Sequence, residues 1–222
     1  MRPVSVRSTL KHAAPDPGVR TLPVGPARGL RLHIDFARQT RLYLGLYETE
    51  LLGHLARFAA RAQLTFDVGS NVGYDALLLA KQTAGRVVAF EADPGVMAEL
   101  DANIAANPDL AGAVAVVRGM VGRAGAAVVL DDVAAERGMP DLVKLDIDGG
   151  EVDALHGAER ILTERMPDLV IETHTAELER ACGEILLGHG YAPRVVTQRR
   201  WLRDHRPSAH NRWLVASGRP RG

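Results

Sequence analysis

The chain has 222 residues, and its 27 lysines and arginines balance its 27 aspartates and glutamates, so the formal net charge is zero. This length suits one domain with a sizeable core, and a neutral balance gives no strong attraction to nucleic acid or to an anionic membrane. Cys182 is the single cysteine, which excludes a disulfide within the chain. Because no signal-like or membrane-length apolar run occurs, we expect a cytoplasmic protein without a membrane or nucleic-acid partner.

The N-terminal region is rich in proline, glycine and arginine, a composition that limits regular structure. We therefore predict a loosely structured arm over residues 1–29 and a single domain over residues 30–222. Within that domain, alternation from Leu30 to Ile34 predicts a strand, and the pattern from Glu48 to Ala60 predicts a helix.

Strands and helices then alternate along the chain, which is typical of a parallel sheet with helices on both faces. The predicted strands cover residues 64–66, 86–90, 114–117, 141–146 and 168–174, with a short one near 128–130. Helix starts are expected at Asp93-Pro94, near Asp131 or Asp132, and at Thr175. Two last strands, near 192–198 and 211–217, are expected to form an antiparallel hairpin around a polar loop with Trp201, His205 and His210. The sequence therefore predicts an α/β fold.

A glycine-rich turn follows the first strand of this alternation, where Asp67 precedes Gly69-Ser70-Asn71-Val72-Gly73. Glycines accept positive φ and allow a ligand to lie against the backbone, and free N–H groups at a helix start suit a carboxylate. Glu91 ends the next strand, where it can accept hydrogen bonds from two ribose hydroxyls. We interpret the turn as an S-adenosylmethionine site, in which Asp67 holds the turn or meets the amino group of the cofactor.

A nicotinamide dinucleotide site is the main alternative for this turn. Its fingerprint, G-x-G-x-x-G, needs a third glycine, whereas Tyr74, Asp75 and Ala76 follow Gly73 here. A pyrophosphate would also lie badly beside Asp67. A turn that binds no ligand is a further possibility.

Polar residues end the two later strands. If these strands are neighbours, Asp146, Glu172 and His174 gather at one carboxyl edge beside the crevice. A histidine that titrates near neutrality is a natural general base for an alcohol acceptor. A divalent metal held by the same three residues could instead lower the pKa of the hydroxyl, but the ligand spacing is not diagnostic. A metal is therefore possible but not favoured.

Several polar residues at the ends of these two strands also have a purely structural interpretation. Asp148 and Glu151 form a D-x-x-E pattern close to a capping box, which favours helix capping for Asp148. Lys144 could simply pair with Asp146, and His174 could bond to a backbone carbonyl.

Five ordered segments of the chain together resemble the FkbM-type methyltransferase family. They are Leu44-Gly45-Leu46-Tyr47-Glu48, the turn from Asp67 to Gly73, Ala89-Phe90-Glu91-Ala92-Asp93-Pro94, the segment from Leu142 to Gly149, and Leu169-Val170-Ile171-Glu172-Thr173-His174. The family uses S-adenosylmethionine, has a Rossmann-like class I fold with a seven-stranded sheet, and mostly methylates hydroxyl groups of small molecules or glycans. Asp148 stands where the family usually has glutamate, and Ser70 where it often has alanine.

The resemblance implies that Asp67, Gly69, Asn71, Gly73 and Glu91 hold the cofactor and that Asp146 lies near the transferring methyl group. Ser70, Ala92 and Met120 complete the expected cofactor-binding set. The ends of the two later strands supply the expected catalytic set, which is His174, Asp146 and Glu172. We therefore predict an S-adenosylmethionine-dependent O-methyltransferase acting on a small molecule or glycan, which could form a homo-oligomer. A non-catalytic nucleoside-binding domain and a nicotinamide-dependent oxidoreductase are the alternatives.

Overall fold

The computed structural model describes residues 16–199 and 210–218. In these ranges the chain forms a seven-stranded sheet and a separate two-stranded hairpin. In chain order the strands are β1 (Gly18–Thr21), β2 (Arg31–Ile34), β3 (Leu64–Val68), β4 (Arg86–Glu91), β5 (Val114–Arg118), β6 (Leu142–Leu145), β7 (Asp168–Thr173), β8 (Arg194–Thr197) and β9 (Arg212–Ala216).

The large sheet has the strand order β5-β4-β3-β6-β7-β9-β8. Strands β3 to β7 pair in parallel, whereas β9 pairs antiparallel with both β7 and β8. This confirms the predicted α/β fold, its mostly parallel seven-stranded sheet and its antiparallel C-terminal hairpin. The strand order reverses between β3 and β6, and ligands of such sheets bind outside the carboxyl ends of the strands at that point.

Helices cover both faces of the sheet. In chain order they are α1 (Phe36–Tyr43), α2 (Leu52–Ala59), α3 (Tyr74–Gln82), α4 (Pro94–Ala105), α5 (Pro108–Ala111), α6 (Leu130–Arg137), α7 (Glu151–His156), a π-helical turn (Ile161–Arg165) and α8 (Ala176–Gly188). Helices α2 and α3 pack on one face, and α6, α7, the π-helical turn and α8 pack on the other. Because both faces are covered, every residue of β3 is buried. None of the helices in the described ranges has the length and apolarity needed to cross a bilayer.

Two predicted helix starts are confirmed. The Asp93 carboxylate accepts a hydrogen bond from the Gly95 N–H at 2.7 Å, with Pro94 in the first helical position of α4. The Thr175 hydroxyl accepts one from the Leu178 N–H at 3.1 Å. Both side chains satisfy donors that a helix start leaves open.

The predicted loose arm over residues 1–29 contains regular structure from residue 18 onward, so the prediction is wrong for that part of it. Strand β1 pairs antiparallel with β2, with Gly18 opposite Ile34, and Leu22 is buried. The glycines that suggested disorder instead form the connection between the strands, since Gly25 and Gly29 both have positive φ. Residues 1–15 of the predicted arm lie outside the described ranges, as do Trp201 and His205 of the predicted polar loop.

The segment around residue 130 also differs from the prediction. The expected strand is reduced to a single bridge between Val121 and Val128, and α6 begins at Leu130 with Val129 as its N-cap. Neither Asp131 nor Asp132 provides the cap. Asp131 instead accepts hydrogen bonds from the backbone N–H groups at positions 160 and 161, at 2.9 and 3.0 Å, a long-range role that local spacing does not reveal.

The predicted helix over residues 48–60 is shorter, since α2 starts at Leu52. Helix α1, which was not predicted, starts after Asp35, whose carboxylate accepts a hydrogen bond from the Ala37 N–H at 2.9 Å. The segment between α1 and α2, residues 44–51, is therefore a loop that crosses the carboxyl edge of the sheet.

Candidate active site

A crevice of about 740 Å³ opens at the carboxyl ends of β3, β4 and β6, a volume typical of small-molecule sites. Its walls are the glycine turn, the segments that follow β4, β5 and β6, and the loop between α1 and α2. Six acidic side chains and one lysine line it: Asp75, Glu91, Asp93, Asp146, Asp148, Asp153 and Lys144. Such a lining gives a negative potential, which favours a ligand that carries positive charge.

The glycine turn lies where the sequence predicted it, between β3 and α3, with positive φ at Gly69, Asn71 and Gly73. Both glycines are also required by packing. A β-carbon on Gly69 would collide with the backbone carbonyl of Asp146, and one on Gly73 would lie 2.6 Å from the Leu100 side chain. The turn is therefore fixed by its close approach to β6 and α4, and this holds whether or not a ligand is bound.

Glu91 ends β4 and faces the turn, as predicted. One carboxylate oxygen accepts a hydrogen bond from the Asn71 N–H at 2.8 Å, and the other accepts from the N–H groups of Ala92 and Asp93 at 2.7 and 2.8 Å. A carboxylate has about four acceptor sites, and the backbone donors use three of them, so one acceptor site remains, on the oxygen that faces Asn71. Three backbone donors thus hold Glu91 in a fixed orientation at the crevice wall.

The other predicted cofactor residues of this end also line the crevice. Ser70 is buried, and its hydroxyl donates to the backbone carbonyl of Asp67 at 2.7 Å. Ala92 lies beside Glu91, and Met120, at 70% exposure, projects from the segment that follows β5. Met120 is thus an exposed apolar side chain at the rim of the crevice, and its place near an adenine stays a prediction.

Asp67 lies beneath the crevice, fully buried on β3 opposite Lys144 of β6. Burial raises the pKa of Asp67 to about 7, although the Lys144 ammonium opposes the rise. Lys144 lies 3.1 Å from a carboxylate oxygen of Asp75 and 3.7 Å from one of Asp146. Burial by itself would lower the pKa of Lys144, but Asp75 and the other carboxylates raise it well above its usual value. Lys144 is therefore charged, and its shorter contact is with Asp75, which the sequence did not predict.

His174 lies beside the crevice and meets Asp146, one of the residues that line it, as predicted. His174 Nε2 lies 3.6 Å from Asp146 and 3.1 Å from Asp148. The interaction with Asp146 raises the pKa of His174 most, burial opposes it, and Asp148 and Glu151 add to the rise. Asp148 is closer but 92% exposed, so water screens its charge more strongly. An imidazole held between carboxylates can take up and release a proton near neutral pH.

The predicted capping role of Asp148 is not observed, because its side chain turns toward His174. The N-cap of α7 is Gly150. The partner glutamate of the pattern does turn back, since Glu151 accepts hydrogen bonds from the N–H groups of Ile147 and Gly149 at 3.0 Å each. Asp148 has positive φ, and this backbone conformation directs its carboxylate into the site.

Glu172 is the second-last residue of β7 and is buried. Its carboxylate lies within 4.8 Å of those of Asp146 and Glu48. Glu48 is the last residue of the first family segment and the first residue of the predicted helix over residues 48–60. The sequence does not predict it as a site residue. It is buried and has positive φ, at 39°, which is uncommon for a residue with a side chain. An acid next to Tyr47 in the first family segment was the sequence signal for it.

The three residues considered for a metal do not form one group. Asp146 belongs to two sets of possible ligand atoms: one with Asp148 and His174, and one with Glu48 and Glu172. The ligand atoms of each set lie within 4.8 Å of one another. The all-carboxylate set with Glu48 and Glu172 has the donors that a hard cation such as Mg²⁺ prefers, whereas the imidazole in the other set is more typical of a transition metal.

The geometry of the turn also bears on the dinucleotide alternative. A pyrophosphate in that class of site lies on the helix N-terminus. Here the first turn of α3 carries the buried Asp75, and Asp67 lies below it. Two carboxyl groups at that place oppose a phosphate, which agrees with the missing third glycine.

Comparison with protein families matches residues 124–206 to the methyltransferase FkbM domain. The matched part contains Asp146, Glu172 and His174, while the glycine turn and Glu91 precede it. Comparison with curated proteins gives no match.

Solved structures of methyltransferases share the fold. The FkbM methyltransferase of Methylobacillus flagellatus is 22% identical with a TM-score of 0.57, over 83% of this chain and 56% of that one. Precorrin-6Y C5,15-methyltransferase of Geobacter metallireducens is 17% identical with a TM-score of 0.54, over 78% and 90%. A putative O-methyltransferase of Klebsiella pneumoniae is 14% identical with a TM-score of 0.52, over 77% and 79%.

These likenesses show the class I methyltransferase fold, and the domain match joins the later part of the chain to a methyltransferase domain. This chain thus resembles the FkbM-type methyltransferase family, as its sequence motifs predicted.

Proposed function

We propose that the protein is an O-methyltransferase that acts on a hydroxyl group of a neutral small molecule or glycan. The proposal rests on the position of His174, which meets Asp146 at one end of the crevice while the glycine turn and Glu91 form the other. A base and a nucleoside site at opposite ends of one crevice suit the transfer of a group to an acceptor that must lose a proton.

The residues of the cofactor end fit the proposed cofactor. S-adenosylmethionine supplies, when bound, an electrophilic methyl group on a sulfonium centre. Glu91 and the turn from Gly69 to Gly73 would hold its ribose and carboxylate. The acidic lining complements the sulfonium and ammonium charges. Asp146, at the junction of the two ends, would lie near the methyl group.

At the acceptor end, His174 would accept the hydroxyl proton as the acceptor oxygen attacks. Transfer in line needs the oxygen at about 3 to 3.5 Å from the methyl carbon. Asp146 orients the imidazole and stabilises its protonated form, a role that carboxylates play toward catalytic histidines. Because the pKa of His174 is raised, it is a stronger base than a free imidazole once it is neutral.

The charge of the lining limits the class of acceptor. Lys144 is the cation of the lining within the described residues, and it is held by Asp75 and Asp146. A phosphate or a nucleic-acid backbone would meet six carboxylates without a free cation to bind it. A neutral hydroxyl compound meets no such penalty, which supports an uncharged acceptor.

Binding of S-adenosylmethionine, measured by calorimetry, tests the cofactor end. We expect Glu91→Ala to weaken binding at least tenfold, since it loses both the ribose acceptor and the group that fixes Asn71. Glu136→Ala, at an exposed glutamate of α6, is the control and should bind normally. No binding by the intact protein, or undiminished binding by Glu91→Ala, would refute the proposed site.

Methyl transfer from labelled S-adenosylmethionine to a low-mass cell extract tests the acceptor end. We expect His174→Ala to lower transfer by about 10² to 10⁴-fold, the usual contribution of a general base, with little change in cofactor affinity. His156→Ala, at a half-exposed histidine of α7, should transfer normally. Equal loss of transfer and of cofactor affinity would make the role of His174 structural.

A divalent cation is a second candidate for activating the hydroxyl, favoured by the two ligand sets that share Asp146. Such an ion would lower the hydroxyl pKa directly. Transfer that disappears with a chelator and returns with Mg²⁺ would support this route, whereas transfer unaffected by a chelator would leave His174 as the base.

A further inference from the structure

The loop over residues 46–51 crosses the acceptor end of the crevice. Tyr47 lines the crevice, and its ring packs edge-on against that of Tyr74 with 5.6 Å between centroids. Glu48 is buried with φ of 39°, and its carboxylate approaches those of Asp146 and Glu172. A residue with a side chain keeps such a conformation when its surroundings impose it. Contacts on both sides of Glu48 should therefore hold the loop.

Arg199 supplies these contacts from a position about 150 residues away in the chain. Its backbone N–H donates to one carboxylate oxygen of Glu50 at 2.7 Å, and its guanidinium donates to the other at 2.9 Å. The guanidinium also donates to the Thr49 hydroxyl and to the Leu46 carbonyl. The three partners flank Tyr47 and Glu48 in sequence, so one side chain fixes the loop before and after them.

The ion pair between Arg199 and Glu50 is almost entirely removed from water, with side-chain exposures of 9% and 12%. Ion pairs with this degree of burial are screened far less than surface pairs. The planar fork of arginine can serve several acceptors at once, and lysine, with a single ammonium, cannot reproduce that geometry. The contact is therefore specific for arginine at this position.

We propose that Arg199 is a positioning residue for the acceptor end of the site: it holds loop 46–51 so that Tyr47 faces the bound acceptor and Glu48 stays against Asp146 and Glu172. This inference rests on the proposed function. The cofactor end is held separately, because Glu91 is fixed by backbone donors of its own neighbourhood. Loss of the Arg199 contacts thus affects acceptor binding and leaves cofactor binding nearly unchanged.

Three variants test the inference in the full chain. Arg199→Ala removes the fork, Arg199→Lys keeps the charge without the geometry, and Glu50→Gln weakens the ion pair from the other side. Arg180→Ala is the matched control, since Arg180 pairs with Glu184 at 2.8 Å on the exposed surface of α8. If Arg199→Ala does not fold, the milder Arg199→Lys and Glu50→Gln variants still decide the question.

Hydrogen exchange of the loop amides is the first measurement. The amides of Leu46 and Leu51 donate within the loop region, to Arg41 and Glu48 respectively. We expect them to exchange at least tenfold faster in Arg199→Ala, while amides of β3 and α3 exchange as in the parent. Unchanged exchange of the loop amides would overturn the inference. This measurement does not depend on the cofactor: a parent protein that binds no S-adenosylmethionine would refute the proposed function, but the exchange of the loop would still test the role of Arg199.

Methyl transfer to a dilution series of low-mass extract is the second measurement. We expect Arg199→Ala to need at least tenfold more extract for half-saturation, with cofactor affinity within threefold of the parent. Millimolar guanidinium should restore part of the loss in Arg199→Ala and none in Glu50→Gln. Equal loss of cofactor affinity and transfer, or normal half-saturation, would overturn the positioning role.

Discussion

Asp67 offers a sharp test of the buried charges beneath the crevice. It is fully buried on β3, and burial raises its pKa to about 7 from a usual value near 3.8. The folded protein therefore binds a proton at this site between these two pH values that the unfolded chain does not bind. Stability contributed by the neutral carboxyl is thus present at low pH and is lost as the pH rises through this window.

The size of the effect follows from the two pKa values. Above both of them the ionised, buried carboxylate costs about 4 kcal/mol relative to the unfolded chain, and about 2 to 3 kcal/mol of this cost arises between pH 5 and pH 8. Asparagine resembles the neutral carboxyl in shape but does not ionise. We therefore expect Asp67→Asn to gain about 2 to 3 kcal/mol relative to the parent between pH 5 and pH 8.

Urea unfolding of both proteins at pH 5 and pH 8 measures this difference. Asp16→Asn, at an exposed aspartate that precedes β1, is the control and should show no comparable change. If Asp67→Asn were equally stable relative to the parent at both pH values, or less stable at pH 8, Asp67 would be ionised throughout. It would then be a true ion-pair partner of Lys144, and the account of the buried cluster would be wrong.

Two further predictions concern the site. The pKa of His174 is raised, mainly by Asp146, so we expect the rate of methyl transfer to rise with pH through a midpoint above 6.5. Asp146→Asn should move this midpoint to lower pH. A midpoint that does not move in the pH–rate profile of the variant would contradict the pairing of His174 with Asp146. Gly69→Ala should lower the free energy of unfolding by roughly 2 kcal/mol or more, because of its positive φ and its clash with the Asp146 carbonyl. Gly53→Ala, in the first turn of α2 with open space around the added β-carbon, should instead stabilise by roughly 0.4 to 1 kcal/mol, and equal effects in urea unfolding would refute the reasoning.

Local sequence was sufficient for the strands of the large sheet, for the starts of α4 and α8, and for the crevice end that the glycine turn and Glu91 form. Continuous apolar runs such as Val87 to Phe90 predict strands buried on both faces, and Asp93-Pro94 predicts a helix start. The glycine turn and Glu91 belong to consecutive elements that a parallel sheet places side by side. Each of these inferences depends on a period, a cap or the end of a strand, which are properties of a few neighbouring residues.

The acceptor end depends on residues that are far apart in sequence. Pairing of Lys144 with Asp75, the approach of Glu48 to Asp146, and the contacts of Arg199 with the loop around Glu50 join elements separated by about 70 to 150 residues. No local pattern marks such partners, because the contacts arise from how α3, β6, loop 46–51 and the residues that follow β8 pack at one edge of the sheet. The sequence by itself therefore determined the fold and the place of the crevice. The tertiary structure decided which charges are buried together and how the loop around Glu50 is held, because burial and pairing of charges depend on packing.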